Sequence, residues 1–429
     1  MQIEWINHAS FIVNSGSVRL IADPWLFGRA FNESWELLVP SKFTADDFDS
    51  VTHIWFSHEH PDHFSPPVLS RIPEKTRKQI RVLFQETRDH RVINACLKLR
   101  FSVTELPDGK SVDIAPGFRV TCGKVPFYDS WLAIQSEGKC LLNMNDCVIL
   151  RPAVMQTLKR RFGNVDVLLQ QFSYASWVAN EDQPEAWKDF AKLTSEVILS
   201  HTAEIRPHYV VPFASFVRFC HIENQYMNRH VNRVGEITQR LEEQGIATPI
   251  VLFPGDKWSP GEPHNNAAAL ARYAEAEVTP FTPNKSQSVS FAEIRELADS
   301  YRHRMLARHN RGFVRIASAI GILPHVTFQA TDLKQGFSFD WANGLQPCET
   351  SAPDITLHSD SLAYLFRFDW GLDTLFISGR FHSGRGGIRK LLRTLALGSL
   401  SNVGKRFSPK LILDWDLLKR AAWLLARAR

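Results

Sequence analysis

Over residues 2–25 the apolar positions Ile3, Trp5, Phe11, Val13, Val18, Leu20 and Ile21 show the alternation of half-buried strands. Asn14-Ser15-Gly16-Ser17 supplies the turn, so the pattern predicts a hairpin. Val51-Thr52-His53-Ile54-Trp55-Phe56 reads as a buried strand, and 66–106 alternates helix-like with strand-like stretches, with helical spacing over 88–98. Further strands are predicted at Phe118–Cys122, Trp131–Ile134 and Cys140–Cys147, the last ending at Asp146, and again at 165–171 and 206–213. Between the last two, Trp187, Phe190, Leu193 and Val197 give a helix over 184–200 a core face. This alternation is that of a layered α/β domain over residues 1–265.

The flavour then changes. Residues 266–289 read as a linker, with Thr279-Pro280-Phe281-Thr282-Pro283 its clearest part. Beyond it, a helix over 290–309, strands at 326–330, 336–340 and 354–357, a helix over 359–366 and a strand at 374–381 predict an α+β accessory unit over 290–395. Residues 396–429 form a basic tail, in which Leu411, Trp415, Leu418, Ala422 and Leu425 fall on one helical stripe. Such a helix either packs its Trp face on the body or lies on an anionic membrane, the latter adding peripheral membrane contact to the expected partners.

Composition narrows the class. An apolar fraction of 44% and a charged fraction of 22% are those of a globular protein, and a net charge of +5 does not by itself point to nucleic acid. The six cysteines have no paired spacing, which excludes a zinc ribbon or a Rieske-type cluster built from them and fits a reducing compartment. The N-terminus lacks a basic segment followed by an apolar one, and no run of about 18 apolar residues exists, so a cytoplasmic protein is expected.

The chemistry is concentrated in Ser57-His58-Glu59-His60-Pro61-Asp62-His63. Three imidazoles and two carboxylates at the end of an apolar strand are what a rigid sheet uses to present a metal site. His58 and His60 alternate and project to one side in extended geometry, while Asp62 and His63 can turn to a second position after Pro61. Two ligand pairs from one loop suggest two cations. Asp146, at the end of its strand, has the donor type to bridge them. His8 is expected at the pocket mouth. The aromatics Trp25, Phe31, Tyr128, Tyr174 and Trp177 are candidate pocket walls.

The His-x-His-x-Asp-His pattern resembles the signature of the metallo-β-lactamase fold, an αββα sandwich with metals at one edge. More narrowly, Asp23-Pro24-Trp25-Leu26 with Gly28 and Ala30-Phe31, the histidine loop, Leu142-Asn143 with Asp146-Cys147, Pro207, Pro212-Phe213-Ala214, and His221 with Tyr226 resemble the lactamase-fold part of CMP-N-acetylneuraminate hydroxylase. The resemblance covers about residues 18–230, implies His221 as the last metal-ligating imidazole with His208 second, and supports the bridging role of Asp146. It also implies a further histidine before the bridging aspartate, where this chain has Val125. Either fewer protein groups bind there, or Asp129 or Tyr128 substitutes, or one position alone fills. The accessory unit is weakly similar to sterol-carrier-type domains.

The fold expected is therefore an αββα metallo-β-lactamase sandwich with a C-terminal α+β accessory domain. The ligand set is His58, His60, Asp62, His63, Asp146 and His221, with Asp62 and His8 catalytic and Asp23 behind them. The cofactors expected are two transition-metal ions, zinc, iron or manganese. A hydrolase using a metal-activated water is the first reading, acting on a small molecule such as a sugar nucleotide or a lipid-like compound. An iron-dependent hydroxylase drawing electrons from a separate redox partner is the second, and a non-catalytic binding or lipid-transfer module is the third.

Overall fold

The computed structural model describes residues 1–125, 129–149, 151–409 and 411. Two seven-stranded sheets lie face to face. The first runs, edge to edge, Lys257–Trp258, Gln2–Asn7, Ser10–Ser15, Val18–Ala22, His53–Trp55, Arg81–Gln85 and Ser102–Leu106. The second runs Thr248–Pro249, Tyr209–Phe213, Val167–Gln171, Lys139–Asn145, Ser130–Ser136, Phe118–Lys124 and Ser111–Ala115. Period-two alternation divides their side chains. Trp5, Phe11, Val13, Leu20, Trp55 and Leu83 meet Leu132, Ile134, Leu141, Val167, Leu169 and Val211 in the space between the sheets. The intervening residues turn outward. Ile12, Ile21, Ile54 and Val82 pack with Val68, Leu69, Val92 and Ile93 from helices Pro66–Arg71 and Arg91–Lys98. On the other side Ala133, Leu142 and Leu168 pack with Met155, Leu158 and Phe162 of helix Pro152–Phe162. The layering is αββα.

Three local expectations are corrected. The first stretch is three strands rather than a two-stranded hairpin. The 266–289 linker contains helix Ala267–Val278, whose Ala269 and Tyr273 sit one turn apart in the core between the sheets. An alanine-rich run favours helix over open linker, and the Tyr273 hydroxyl donates to the Leu252 carbonyl at 2.9 Å. The apolar run at 374–381 is not one strand: Gly371–Ser378 is a helix, and only Phe381–Ser383 pairs in a sheet. A short apolar run does not by itself distinguish the two. Gly379, at φ +64°, ends that helix in the left-handed conformation and lets Met227 approach where a Cβ would clash.

The C-terminal part has its own five-stranded sheet, in the order Gly344–Pro347, Gln335–Asp340, Val326–Ala330, Ile355–Leu357 and Phe381–Ser383, and its own apolar core. It docks on the sandwich through one buried cation. Arg380 is 0% exposed; its Nε donates to Glu223 Oε2 at 2.9 Å, its Nη1 to the Asn32 carbonyl at 2.8 Å, and its Nη2 to Ser286 Oγ at 2.7 Å, with Asp360 Oδ2 at 3.1 Å. Around it Asn224 Nδ2 donates to the Ser378 carbonyl, and Asn180 and Ser383 exchange hydrogen bonds. Arg380 thereby holds Asn32, the middle of three consecutive non-glycine residues at positive φ: Phe31 at 52°, Asn32 at 56° and Glu33 at 58°.

His221 belongs to this junction. Its Nε2 lies 3.3 Å from Ser286 Oγ, and burial, together with the charge of Arg380, lowers its pKa to about 3. Because the folded state resists protonation that the unfolded chain accepts near 6.5, this residue makes stability fall as pH drops from about 6.5 toward about 3. Denaturant unfolding at successive pH values is expected to show that slope, and His221→Gln to flatten it. An identical slope in the variant would remove His221 as the cause.

Candidate metal centre

The histidine loop leaves the first sheet at Trp55 and closes on itself, with the His63 and Phe64 amides donating to the His60 carbonyl at 3.0 and 2.7 Å. Asp23, wholly buried at the end of the neighbouring strand, organises it from below. Its Oδ1 accepts from the Ser57 amide at 2.8 Å, and its Oδ2 accepts from Ser57 Oγ at 2.7 Å, His63 Nδ1 at 3.0 Å and Asn145 Nδ2 at 3.2 Å. These bonds decide two tautomers. A carboxylate only accepts, so His63 Nδ1 carries hydrogen. The Ser57 hydroxyl spends its hydrogen on Asp23, so His58 Nδ1, 2.9 Å from Ser57 Oγ, is also the donor. Both rings therefore turn Nε2 the other way, toward the carboxylates.

On that side two donor groups form among the described residues, each with its ligand atoms within 4.8 Å of one another and both including His63: His8, Asp62 and His63, and His58, His63 and Asp146. Asp62 Oδ2 lies 3.3 Å from both His8 Nε2 and His63 Nε2. Asp146 Oδ2 lies 3.6 Å from His58 Nε2 and 3.7 Å from His63 Nε2. His60 Nδ1 approaches His58 Nε2 at 2.8 Å and completes the cluster on the more open side. A left-handed residue at Asn145, φ 52°, ends the strand, bringing its amide to Asp23 while Asp146 faces the imidazoles.

The electrostatics are those of a cation site. Burial works against charge on His63, but the carboxylates of Asp62, Asp146 and Asp23 outweigh it and hold its pKa well above the ordinary value. Burial would raise Asp62, yet His63 and His8 hold it well below the usual carboxylate range. Burial, reinforced by His63 and His60, pushes His58 well down, and burial also raises Asp146. Asp62 Oδ1 and Asp146 Oδ1 are buried with no hydrogen-bond donor among the described residues. Leaving carboxylate oxygens so is costly unless a cation meets them. The all-nitrogen-and-oxygen donor set fits zinc, iron or manganese, and cation loading would displace the proton that His63 otherwise holds.

Residues 2–214 match the model of the beta-lactamase superfamily domain. Residues 2–214 are thereby a domain of the metallo-β-lactamase superfamily. Superfamily members are metal-dependent enzymes. The cytidine monophosphate-N-acetylneuraminic acid hydroxylase of Danio rerio is 28% identical over 242 residues, 52% of this chain and 40% of that protein. The chain thus spans less than half the length of this curated relative. Among solved structures, a metallo hydrolase from Ignicoccus hospitalis is 18% identical with a TM-score of 0.43, covering 60% of this chain and 97% of that one. A diiron β-hydroxylase from Streptomyces venezuelae is 14% identical with a TM-score of 0.43, covering 60% of this chain and 53% of that one.

Of the residues singled out in the sequence, His58, His60, Asp62, His63 and Asp146 are brought together, with Asp23 beneath them. His8 is placed deeper than the pocket mouth: it is 2% exposed and within ligand distance of Asp62 and His63. His221 is not brought to the cluster, because its strand end leads into the junction around Arg380. His208 is solvent-exposed beside Asp166. Val125 packs its side chain against the outer apolar cluster containing Trp131 and Leu142, and Asp129, whose carbonyl accepts from the Val125 amide, has its carboxylate 3.9 Å from His58 Nδ1. That is the nitrogen turned away from Asp146, so Asp129 does not replace the missing imidazole in either donor group. Trp25 and Phe31 do flank the cluster, with ring centroids 5.9 Å from His8 and 5.7 Å from His60. Tyr174 is instead core, donating to the Met227 carbonyl beside Trp187, and Trp177 packs on Phe376 and Phe381 of the C-terminal part. Tyr128 lies outside the described residues.

Sequence reading passed over Ser57 and Asn145. Both are small polar residues whose role depends on Asp23, more than thirty and more than a hundred positions away. Asp23→Asn replaces an accepting oxygen by a donor, set against one donor in the place of Oδ1 or three in the place of Oδ2. It is expected to weaken metal affinity about 10- to 100-fold, read by competition against a chromophoric chelator. Unchanged affinity would show that the support from Asp23 is dispensable.

Proposed function

We propose that the chain is a metal-dependent hydrolase of a small molecule, with water as the nucleophile. One observation carries the reading: two buried carboxylate oxygens, Asp62 Oδ1 and Asp146 Oδ1, lack a hydrogen-bond donor among the described residues, in a cluster of imidazoles whose Nε2 atoms are turned toward those carboxylates. Two bound cations would supply Lewis acidity and bring the pKa of a water down to roughly 7. The residues do the rest. Asp62, fixed by His8 and His63, orients the nucleophile and receives its proton. Asp23 and Ser57 keep the rings of His63 and His58 from rotating. Trp25 and Phe31 exclude bulk water from two sides. A sugar nucleotide or a lipid-like ester is the substrate class proposed.

A second reading is supported by the hydroxylase names of the relatives and by a centre without any sulfur donor. It is a non-haem iron hydroxylase that takes electrons from a separate redox protein. Metal analysis of the protein as purified, followed by assay of ester, amide and phosphoester substrates with and without oxygen, tests both. Zinc or manganese with turnover under anaerobic conditions, abolished by chelation and restored by metal, is expected. Two irons per chain with oxygen-dependent turnover would replace the first reading by the second.

A further inference from the structure

Away from the metal centre, one face of the C-terminal part combines exposed apolar side chains with arginines. Helix Arg311–Ala319 buries Val314 and Ala317 and turns its other side outward. There Ile316 is 59% exposed and Ile320, one turn on, is 66% exposed, followed by Ile322 at 47%. These are three of the ten large apolar side chains exposed among the described residues, gathered within seven positions, whereas scattered single exposures need no explanation. Helix Gly387–Thr394 lies alongside, since the Arg393 guanidinium donates to the carbonyls of Gly321 and Ile322. Arg389 precedes Arg393 by one turn on that helix, Arg311 and Arg315 lie on the first helix, and Lys390 is paired with Asp354 at 2.8 Å and adds no free charge. No Asp or Glu occurs between Asp299 and Asp332, or between Asp373 and Asp414, so both segments are purely cationic.

We propose that this face docks on a bilayer carrying anionic phospholipid, with Ile316, Ile320 and Ile322 entering the acyl boundary and the flanking arginines meeting headgroup phosphates. Charge complementarity selects the occupant. A protein partner would have to match a large one-signed field, and a nucleic acid would leave three isoleucines against phosphate and water. No described helix is long and apolar enough to cross a membrane, so the contact is peripheral. The basic 412–429 segment lies outside the described residues and the proposal does not use it.

The test is co-sedimentation of the full chain with vesicles of phosphatidylcholine alone or with about a third phosphatidylserine, at about 0.1 M salt. The chain is expected to bind the anionic vesicles and not the neutral ones. Ile316→Asn/Ile320→Asn and, separately, Arg315→Glu/Arg389→Glu are each expected to weaken that partition about tenfold or more. All four positions are at least partly exposed, and an unchanged melting temperature shows that folding is intact. Absence of binding by the unmodified chain, full binding by either double variant, or tighter binding to duplex DNA at the same salt would overturn the proposal.

Discussion

His63→Ala is expected to empty both cation positions at once. His63 is the one residue common to the two donor groups, and its removal also takes from Asp62 and Asp146 one of the two imidazoles each faces within 4 Å. Loss of a single outer supporting partner typically costs 10- to 100-fold in metal affinity, so loss of a shared ligand should cost more than about 100-fold at both sites. The measurement is metal content after dialysis against a weak chelator. His201→Ala is the control: that imidazole is equally buried, but its nitrogens are satisfied by Gln170 and the Ile149 carbonyl. The control should lose stability and keep its metal. A His63→Ala protein that still held two cations would refute the shared-ligand geometry.

Arg380→Ala is expected to have the largest effect on stability, about 3 kcal/mol or more, because it strips the partner from two carboxylates at a junction that buries the guanidinium completely. The residual charges of Glu223 and Asp360 then face one another across the space the guanidinium filled. Replacing the carboxylates as well, in Arg380→Met/Glu223→Gln/Asp360→Asn, should recover much of the loss, since a consistent neutral junction avoids the orphaned charge. Calorimetry and denaturant titration read both. A second consequence follows from Asn32: releasing its carbonyl frees three residues held at positive φ, and Phe31 among them packs edge-on against His60. Arg380→Ala should therefore weaken metal binding as well, although Arg380 belongs to neither donor group. Unchanged stability would mean that the carboxylates are relieved by water, and unchanged metal affinity that Phe31 keeps its place without Arg380.

How far the sequence reaches depends on what kind of interaction places a residue. The layered α/β order and the histidine loop were legible because their causes are local: alternation sets which strand residues face inward, and three imidazoles in seven positions after a strand leave little other use. Residues 374–381 misled because a short apolar run satisfies helix and strand equally, and the helix was decided by packing on Met227 and Trp177. Tyr174 and Trp177 misled for a related reason, since an aromatic side chain looks the same from sequence whether it lines a pocket or fills a core.

By itself, then, the order of residues determined the layered α/β order, the histidine loop at 57–63 and the carboxylate Asp146 at a strand end, while the αββα arrangement and the supporting place of Asp23 came through the family resemblance. Only the tertiary structure decided that His8 joins a donor group with Asp62 and His63, that His221 lies at the Arg380 junction instead, and that Asn145 and Ser57 lock the rings. Periodicity acts between neighbours in the chain and can be read along it. Coordination and buried hydrogen bonding act between atoms a few ångströms apart in space, and which imidazole arrives there depends on how distant strands end.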